Sequence, residues 1–203
     1  MGSEHYFSAQ PATPEQRKTI TVELAGSEHR VETAGGIFSP DGLDKGTAVL
    51  LAGAPAPANS GHLLDIGCGW GPIALTLALA SPDATVHAID VNERSINLTR
   101  DNAAALGLEN LRAGQPDSVP SDVEFATIWS NPPIRVGKQA LHELLLKWLP
   151  RLAPGGTAWL VVQKNLGADS LLPWLNRELP SGFSAVRDST AKSFRLLKVE
   201  RAG

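Results

Sequence analysis

A glycine-rich turn between a short apolar strand and an apolar helix constrains the fold of this 203-residue chain more than any other feature. Residues 62–66 are predicted to form the strand, and the turn Gly67-Cys-Gly-Trp-Gly71 follows it directly. Pro72 then stands at the first position of the predicted helix, where its missing N–H is tolerated. A strand, a glycine turn and a helix in this order begin a βαβ unit, which predicts a parallel sheet covered by helices.

The rest of the chain continues this alternation of strands and helices. The clearest helix follows residue 140, because apolar residues recur at i, i+3, i+4, i+7, i+8 and i+11 from Leu141 to Leu152, and Pro154-Gly155-Gly156 is expected to end it. The last two predicted strands, residues 183–187 and 194–199, have no helix between them and would form an antiparallel edge. These patterns predict an α/β fold with a doubly wound, mostly parallel seven-stranded sheet.

The first 58 residues have a different pattern. Residues 20–24 and 29–33 alternate apolar and polar side chains around Gly26-Ser27-Glu28, which predicts a β-hairpin. A stretch rich in proline, glycine and small polar residues follows, from residue 55 to residue 61. We therefore expect an N-terminal segment, residues 1–58, packed on a larger domain of residues 59–203.

Composition excludes several classes of protein. The chain has one cysteine, so a disulfide framework is excluded, and no cluster of cysteine and histidine has the spacing of metal ligands. No apolar run is long enough for a membrane span, and the N-terminus lacks the pattern of a signal peptide, so a soluble cytoplasmic protein is expected.

The charges are divided unevenly along the chain. Residues 1–134 hold 7 Lys and Arg against 16 Asp and Glu, whereas residues 135–203 hold 11 against 5. A basic last third suits an anionic substrate, although scattered solvated side chains would give the same count.

An acidic residue at the end of the second strand of the βαβ unit strengthens the prediction that the glycine turn binds a cofactor. Asp90 lies 19 residues beyond Gly71, where a carboxylate can bind the two hydroxyls of a ribose. The third glycine comes one position earlier than in the dinucleotide fingerprint, and Asp65 precedes the turn. This spacing favours S-adenosylmethionine over NAD. Asp65 would either cap the helix or bind the ammonium group of the cofactor, while Cys68 is expected to pack beneath the turn.

The loop Ser130-Asn131-Pro132-Pro133-Ile134 follows the predicted strand at residues 124–129. Its prolines have no N–H, so the loop offers acceptors, namely the side-chain carbonyl of Asn131 and the backbone carbonyl of Pro132. Two rigid acceptors suit an amino group, because they take its N–H bonds and turn its lone pair toward an electrophilic methyl group. Alignment would then supply most of the catalysis, without a conventional general base.

Taken together, these motifs resemble those of class I S-adenosylmethionine-dependent methyltransferases of the small-domain type, which have a Rossmann-like fold. Within that class they are similar to the bacterial small-subunit rRNA (guanine-N2)-methyltransferases and their short archaeal relatives. The motifs that carry the resemblance are Asp65-Ile-Gly-Cys-Gly-Trp-Gly71, Asp90, Asn131-Pro-Pro-Ile134, His5-Tyr-Phe-Ser8, Gly36-Ile-Phe-Ser39, Leu43-Asp-Lys-Gly-Thr47 and Ile134-Arg-Val-Gly-Lys138.

The resemblance implies a role for each matching residue. The cofactor-binding residues would be Asp65, Gly67, Cys68, Gly69, Gly71, Asp90, Val91 and Asn131. The catalytic residues would be Asn131, Pro132, Pro133 and Ile134. Either Gln115 or Asp117 would bind the adenine amino group, the substrate would be guanine N2 of 16S rRNA, and the partner would be rRNA or the small ribosomal subunit, with no metal.

Two departures from the family pattern keep other functions open. Ile134 stands where amine methyltransferases often have an aromatic residue that stacks on the base. Some rRNA members of the family also carry a duplicated, inactive N-terminal half that helps to bind RNA, whereas we expect this chain to hold only the catalytic half and its short entry segment. The enzymatic alternatives are methylation of a protein glutamine amide at N5 or of adenine N6 in nucleic acid. A non-catalytic RNA- or protein-binding domain is disfavoured by the intact motifs, and an NAD-dependent oxidoreductase by the glycine spacing.

Overall fold

The computed structural model describes residues 16–133, 137–164 and 167–203. The strands are β1 Arg17–Leu24, β2 Ser27–Ala34, β3 Ser60–Ile66, β4 Asp83–Ile89, β5 Leu111–Gly114, β6 Phe125–Ser130, β7 Leu152–Gln163, β8 Phe183–Ala191 and β9 Phe194–Arg201. The helices are α1 Lys45–Gly53, α2 Pro72–Ala80, α3 Glu93–Ala105, α4 Lys138–Trp148 and α5 Ala168–Glu178.

Seven of these strands form one sheet in the order β5-β4-β3-β6-β7-β9-β8. Strands β3 to β7 pair in parallel, whereas β9 pairs antiparallel with both β7 and β8. The predicted doubly wound α/β fold and its antiparallel edge are therefore confirmed. None of the helices in the described part of the chain is long and apolar enough to span a membrane.

Apolar side chains cover both faces of the sheet. On one face, Leu145 and Trp148 of α4 and Leu175 of α5 are fully buried against the strands. On the other, Leu50 of α1 and Leu77 of α2 are equally buried. Burial on both faces explains why the central parallel strands are apolar without alternation.

The N-terminal hairpin is fastened to α3 and to the glycine turn. Strands β1 and β2 form a separate two-stranded sheet, whose Leu24 and Val31 pack against Trp70. The side chain of Asn102 on α3 accepts a hydrogen bond from the backbone N–H of Glu32 at 2.7 Å and donates one to the Glu32 carbonyl at 2.9 Å. It also donates to the Trp70 carbonyl at 2.9 Å, so one buried amide joins the hairpin to the turn.

The chain reverses its direction of travel across the sheet at β3. From β3 it proceeds to β4 and β5 on one side, then crosses to β6 on the other side of β3. Loops leave such a switch point in opposite directions, which opens a crevice at the carboxyl ends of the two strands. The Ser130 hydroxyl donates to the Ile66 carbonyl at 2.8 Å, so the two strand ends are joined at this crevice.

One predicted boundary is wrong. Helix α4 ends at Trp148 and a short 3-10 turn, Leu149–Arg151, follows, because Pro150 has no N–H with which to continue the helix. Pro154-Gly155-Gly156 therefore does not end the helix but lies inside β7, where the pairing of β6 with β7 shifts register.

Candidate active site

The glycine turn adopts a backbone conformation that favours glycine at three positions. The φ angles of Gly67, Gly69 and Gly71 are 79°, 59° and 100°. A Cβ on Gly71 would lie 3.1 Å from Thr99, so tight packing also demands glycine there. A Cβ on Gly69 would meet no atom within 4 Å, so this glycine faces open space at the start of α2. The turn can therefore receive a ligand close to its backbone.

Asp65 is fully buried beneath this turn and is only half satisfied. Its Oδ2 accepts a hydrogen bond from the backbone N–H of Ala74 at 3.0 Å, so the side chain caps the first turn of α2. Its Oδ1 is also buried, and no described residue donates to it. Burial raises the pKa of Asp65 well above its ordinary value, and the nearby Asp90 raises it further. A cationic donor, such as the ammonium group of an amino acid, would satisfy the free oxygen.

Asp90 connects the second strand to the glycine turn. Its Oδ2 accepts from the backbone N–H of Gly69 at 3.0 Å, and its Oδ1 accepts from that of Asn92 at 2.9 Å. Burial raises the pKa of Asp90, against the opposing effect of these hydrogen bonds. The backbone N–H of Val91 and the side chain of Ser95 also donate to this carboxylate. A ribose hydroxyl would therefore bind by replacing or sharing one of these four donors. The neighbouring Val91 is 47% exposed and offers an apolar surface beside it.

Cys68 has the features of a packing residue. Its side chain is buried, and the Thr99 hydroxyl lies 3.5 Å from its sulfur atom. Burial and the charges of Asp90 and Asp65 raise the pKa of the Cys68 thiol, which disfavours the nucleophilic thiolate.

The Asn131 side chain is held in one orientation at the end of β6. Its Nδ2 donates to Asp44 Oδ2 at 2.9 Å and to Thr47 Oγ1 at 3.1 Å. An ionised carboxylate can only accept, so the NH₂ group must face Asp44 and the carbonyl oxygen Oδ1 must face away. Among the described residues, none donates to this Oδ1. Pro132 is buried and Pro133 half-buried, while Ile134 lies outside the described residues.

A small cleft, about 20 Å³ in volume, lies between the N-terminal segment, the glycine turn and the Asn131 loop. Its lining residues are Phe38, Ser39, Asp44, Thr47, Gly67, Cys68, Gly69, Trp70, Pro72, Ile73 and Asn131. Of the predicted site residues, Gly67, Cys68, Gly69 and Asn131 line this cleft, whereas Asp65, Gly71 and Val91 do not. Asp90 adjoins the cleft through its hydrogen bond with Gly69. Asp44 and Thr47 belong to the motif Leu43-Asp-Lys-Gly-Thr47, which contributed to the family resemblance, but they were not predicted to be site residues. An aspartate in the N-cap position of a helix is the sequence feature that could have indicated them.

The carboxyl end of strand β5, at Gly114, lies beside Asp90. The backbone N–H of Asp90 donates to the Gly114 carbonyl at 3.2 Å, so the segment after β5 adjoins the site. Asp117 pairs instead with Lys147 at 3.1 Å, whereas Gln115 is exposed directly after Gly114.

Part of the basic C-terminal third also lies at this edge of the sheet. The start of β9 pairs with the end of β7, so the turn that contains Lys192 adjoins Lys164 at the carboxyl edge. Both lysines are exposed. By contrast, Lys198 pairs with Glu200 and Arg201 pairs with Glu124, so these two cations are partly neutralised. Arg135 lies outside the described residues.

Comparisons with known proteins identify the family of this chain. The model of the methyltransferase small-domain family matches residues 28–193. The uncharacterized protein YbxB of Bacillus subtilis (strain 168) is 36% identical over 202 residues, which cover 98% of this chain and 99% of that protein. Ribosomal RNA small subunit methyltransferase C of Pseudomonas aeruginosa (strain LESB58) is 35% identical over 165 residues, 77% of this chain and 49% of that protein. The chain therefore spans about half the length of this second relative.

A solved structure has the same fold. The Thermus thermophilus 16S rRNA N2 G1207 methyltransferase (RsmC), in complex with AdoMet and guanosine, superposes with a TM-score of 0.79 at 23% identity. The match covers 94% of this chain and 52% of that one. The half-satisfied Asp65 and the open face of Gly69 fit the amino-acid end of the same cofactor. The chain belongs to the methyltransferase small-domain family and is an S-adenosylmethionine-dependent methyltransferase.

Proposed function

We propose that this enzyme methylates an exocyclic amine of RNA, namely guanine N2 of 16S rRNA. The observation that carries the proposal is the fixed Asn131 amide, whose NH₂ group is held by Asp44 while its carbonyl oxygen faces away. Together with Pro132 and Pro133, which lack an N–H, it forms a loop that presents acceptors and suits an amine.

The cofactor supplies a methyl group on a sulfonium ion, which makes that methyl electrophilic. Asp65 Oδ1 would hold the ammonium group of the cofactor, and the backbone of residues 67–71 would receive its methionine end. Asp90 would hold the ribose and Val91 would contact the adenine. Gln115 is the better candidate for the adenine amino group, since Asp117 is paired with Lys147.

The Asn131 carbonyl and the Pro132 backbone carbonyl would each accept one N–H of the target amine. The nitrogen lone pair then faces the methyl group along the line of displacement. As the new N–C bond forms, the S–C bond breaks and its electron pair stays on sulfur. The methylated nitrogen is a cation that loses its proton to water, so alignment replaces a general base.

Two features support a nucleic-acid substrate. Phe38 lines the cleft and is 50% exposed, so it offers an aromatic face to a base, which Ile134 lacks. Lys164 and Lys192 lie exposed at the same edge of the sheet, where phosphate would pass. The name of the Pseudomonas relative and the guanosine bound in the Thermus structure agree with this substrate class.

Labelled methyl transfer to RNA and to small ribosomal subunits tests the proposal. Both substrates would come from a strain that lacks this protein, and digestion to nucleosides would identify the product. We expect N2-methylguanosine with the wild-type enzyme and a rate lower by about 10²-fold or more with Asn131→Ala. Gln139→Ala, on the exposed face of α4, is the matched control.

The other outcomes separate the alternatives. Label in N6-methyladenosine would show that the enzyme methylates adenine and not guanine. Label in a protein glutamine amide, with none in RNA, would show that its substrate is a protein. An undiminished rate for Asn131→Ala would overturn the proposed mechanism.

A further inference from the structure

We infer that Asp44 is the positioning residue that sets the orientation of the Asn131 amide. The inference rests on the proposed function only in that it explains why this orientation matters for methyl transfer. Asp44 and Asn131 are 87 residues apart in the chain, and only the folded structure brings them into contact.

One oxygen atom of Asp44 accepts three hydrogen bonds at this site. Asp44 Oδ2 accepts from the backbone N–H of Gly46 at 2.7 Å and from that of Thr47 at 3.2 Å, which makes Asp44 the N-cap of α1. The same oxygen accepts from Asn131 Nδ2 at 2.9 Å. A helix cap and an active-site contact therefore share one atom.

The contact selects one of the two orientations of an asparagine amide. A half-turn of the Asn131 amide would exchange Nδ2 with Oδ1 and bring two acceptors face to face. Hydrogen bonds to a charged acceptor are among the stronger ones in proteins, so the carboxylate disfavours the reversed orientation. The Thr47 hydroxyl, which accepts from the same Nδ2 at 3.1 Å, holds the amide from a second point.

Gly46 is an independent sign that the structure is built around this contact. Its φ angle is not in the left-handed region, so backbone conformation does not demand glycine there. A Cβ on Gly46 would lie 2.9 Å from Asp44 Oδ2 and 3.2 Å from Asn131 Nδ2. The same Cβ would lie 3.0 Å from the ring of Phe194, so a larger residue would press on the Asp44 carboxylate, on Phe194 and, less strongly, on Asn131.

Neighbouring elements hold Asp44 at the required place. Helix α1 is fixed to the sheet through Leu50, which is fully buried. Before the helix, the Ser39 hydroxyl donates to the Gly42 carbonyl at 2.8 Å, which closes the turn that leads to Asp44.

Two substitutions at Asp44 separate positioning from helix capping. Serine and asparagine both cap helices well, so Asp44→Ser and Asp44→Asn are expected to preserve α1 to a similar degree. Only asparagine is long enough to keep an oxygen near Asn131 Nδ2. Gly46→Ala tests the same contact from a different residue, and Asp41→Ser changes an exposed carboxylate three residues away as the control.

The first measurement is the side-chain amide signal of Asn131 in the NMR spectrum of the protein without cofactor, assigned by its loss in Asn131→Ala. We expect slow hydrogen exchange in the wild type, in Asp44→Asn and in the control. In Asp44→Ser and Gly46→Ala, exchange should be faster by about tenfold or more, because the donor is no longer held.

The second measurement is the single-turnover rate of methyl transfer at saturating substrate. Asp44→Ser is expected to be slower by about 10²-fold with little change in the KM for RNA, whereas Asp44→Asn should stay within about tenfold of the wild type. A purely structural role would give equal losses for both substitutions.

The inference is overturned if Asp44→Ser keeps both the slow exchange of the Asn131 amide and the wild-type rate. If the exchange pattern is as expected but no RNA is methylated by any variant, positioning by Asp44 is supported and the proposed substrate is wrong.

Discussion

The backbone N–H of Gly69 donates to the Asp90 carboxylate at 3.0 Å, so the residue proposed to hold the ribose also fixes the central glycine of the turn. The other oxygen of Asp90 accepts from the backbone N–H of Asn92, the N-cap of α3. One carboxylate thus links the loops that follow two adjacent strands, β3 and β4.

Asp90→Ala is expected to raise the Kd for S-adenosylmethionine by about 10- to 100-fold. The substitution removes the ribose ligand, and a loss of about 1.4–2.8 kcal/mol corresponds to this change in Kd. It also leaves the Gly69 N–H without its acceptor. Isothermal titration calorimetry gives the Kd directly. Asp83→Ala, at the exposed start of the same strand, is the control, and a Kd within twofold of wild type for Asp90→Ala would contradict the assignment.

Asp65→Asn is expected to stabilise the protein while weakening cofactor binding. Burial raises the pKa of Asp65 in the folded state, so the ionised carboxylate costs folding free energy above that pKa. As pH falls through the raised pKa toward the ordinary value of about 4, protonation removes the cost. The free energy of unfolding of Asp65→Asn should therefore exceed that of the wild type at alkaline pH, and the difference should disappear in acid.

Thermal unfolding and cofactor titration check both halves of this prediction. At pH 8 we expect Asp65→Asn to raise Tm by roughly 2–4 °C, equivalent to about 1 kcal/mol for a domain of this size. The Kd for S-adenosylmethionine should rise, because an amide oxygen carries no charge and binds the ammonium group less strongly than a carboxylate does. An unchanged Kd would show that Asp65 only caps α2.

Cys68 is expected to resist alkylation in the folded protein. Burial and nearby carboxylates raise the pKa of its thiol, so little thiolate forms at pH 8. Iodoacetamide should modify the native protein slowly and the urea-unfolded protein rapidly, which mass spectrometry distinguishes. Rapid modification of the native protein at this pH would mean that the glycine turn opens readily.

His87 is expected to make the protein less stable in acid. Burial, then the neighbouring His62, Arg112 and Arg151, lower its pKa in the folded state to about 4. The unfolded chain binds a proton near pH 6.5, so stability present above that pH is lost as pH falls from 6.5 toward 4. The shift corresponds to about 3 kcal/mol over this range.

Urea unfolding between pH 7.5 and pH 4.5 measures this loss. His87→Gln should lose less free energy of unfolding over the range than the wild type does. His29→Gln, on the hairpin, should behave like the wild type, and parallel pH profiles for all three proteins would contradict the prediction.

Phe38→Ala is expected to raise the KM for RNA by about tenfold while leaving the Kd for S-adenosylmethionine nearly unchanged. Stacking of a base on an aromatic side chain is worth about 1–3 kcal/mol, and Phe38 is exposed at the cleft. Steady-state methylation kinetics provide the KM. Val186→Ala, a similarly exposed apolar residue on the outer strand, is the control; equal effects of the two substitutions would assign Phe38 no part in substrate binding.

Local sequence patterns determined the fold class and the residues around the glycine turn. The turn, Asp90 and the Asn-Pro-Pro loop each follow a recognisable strand, and parallel strands place such loops at one edge of a sheet. The spacing of the leucines predicted helix α4, because a 3.6-residue period depends only on residues that are near one another in the chain. The local pattern failed where pairing between strands determines the structure. It predicted that Pro154 ends helix α4, whereas this residue lies inside β7, a strand that pairs with its neighbours β6 and β9.

Tertiary structure alone decided which atoms of the site are satisfied and which are free. The hydrogen bond between Asp44 and Asn131, the vacant oxygen of Asp65 and the exposed face of Phe38 all depend on how the N-terminal segment packs beside the glycine turn. That packing is set by contacts between distant parts of the chain, such as Asn102 with Glu32 and Trp70. Sequence periodicity reports on near neighbours along the chain, so it determined the scaffold and left these long-range contacts to the fold.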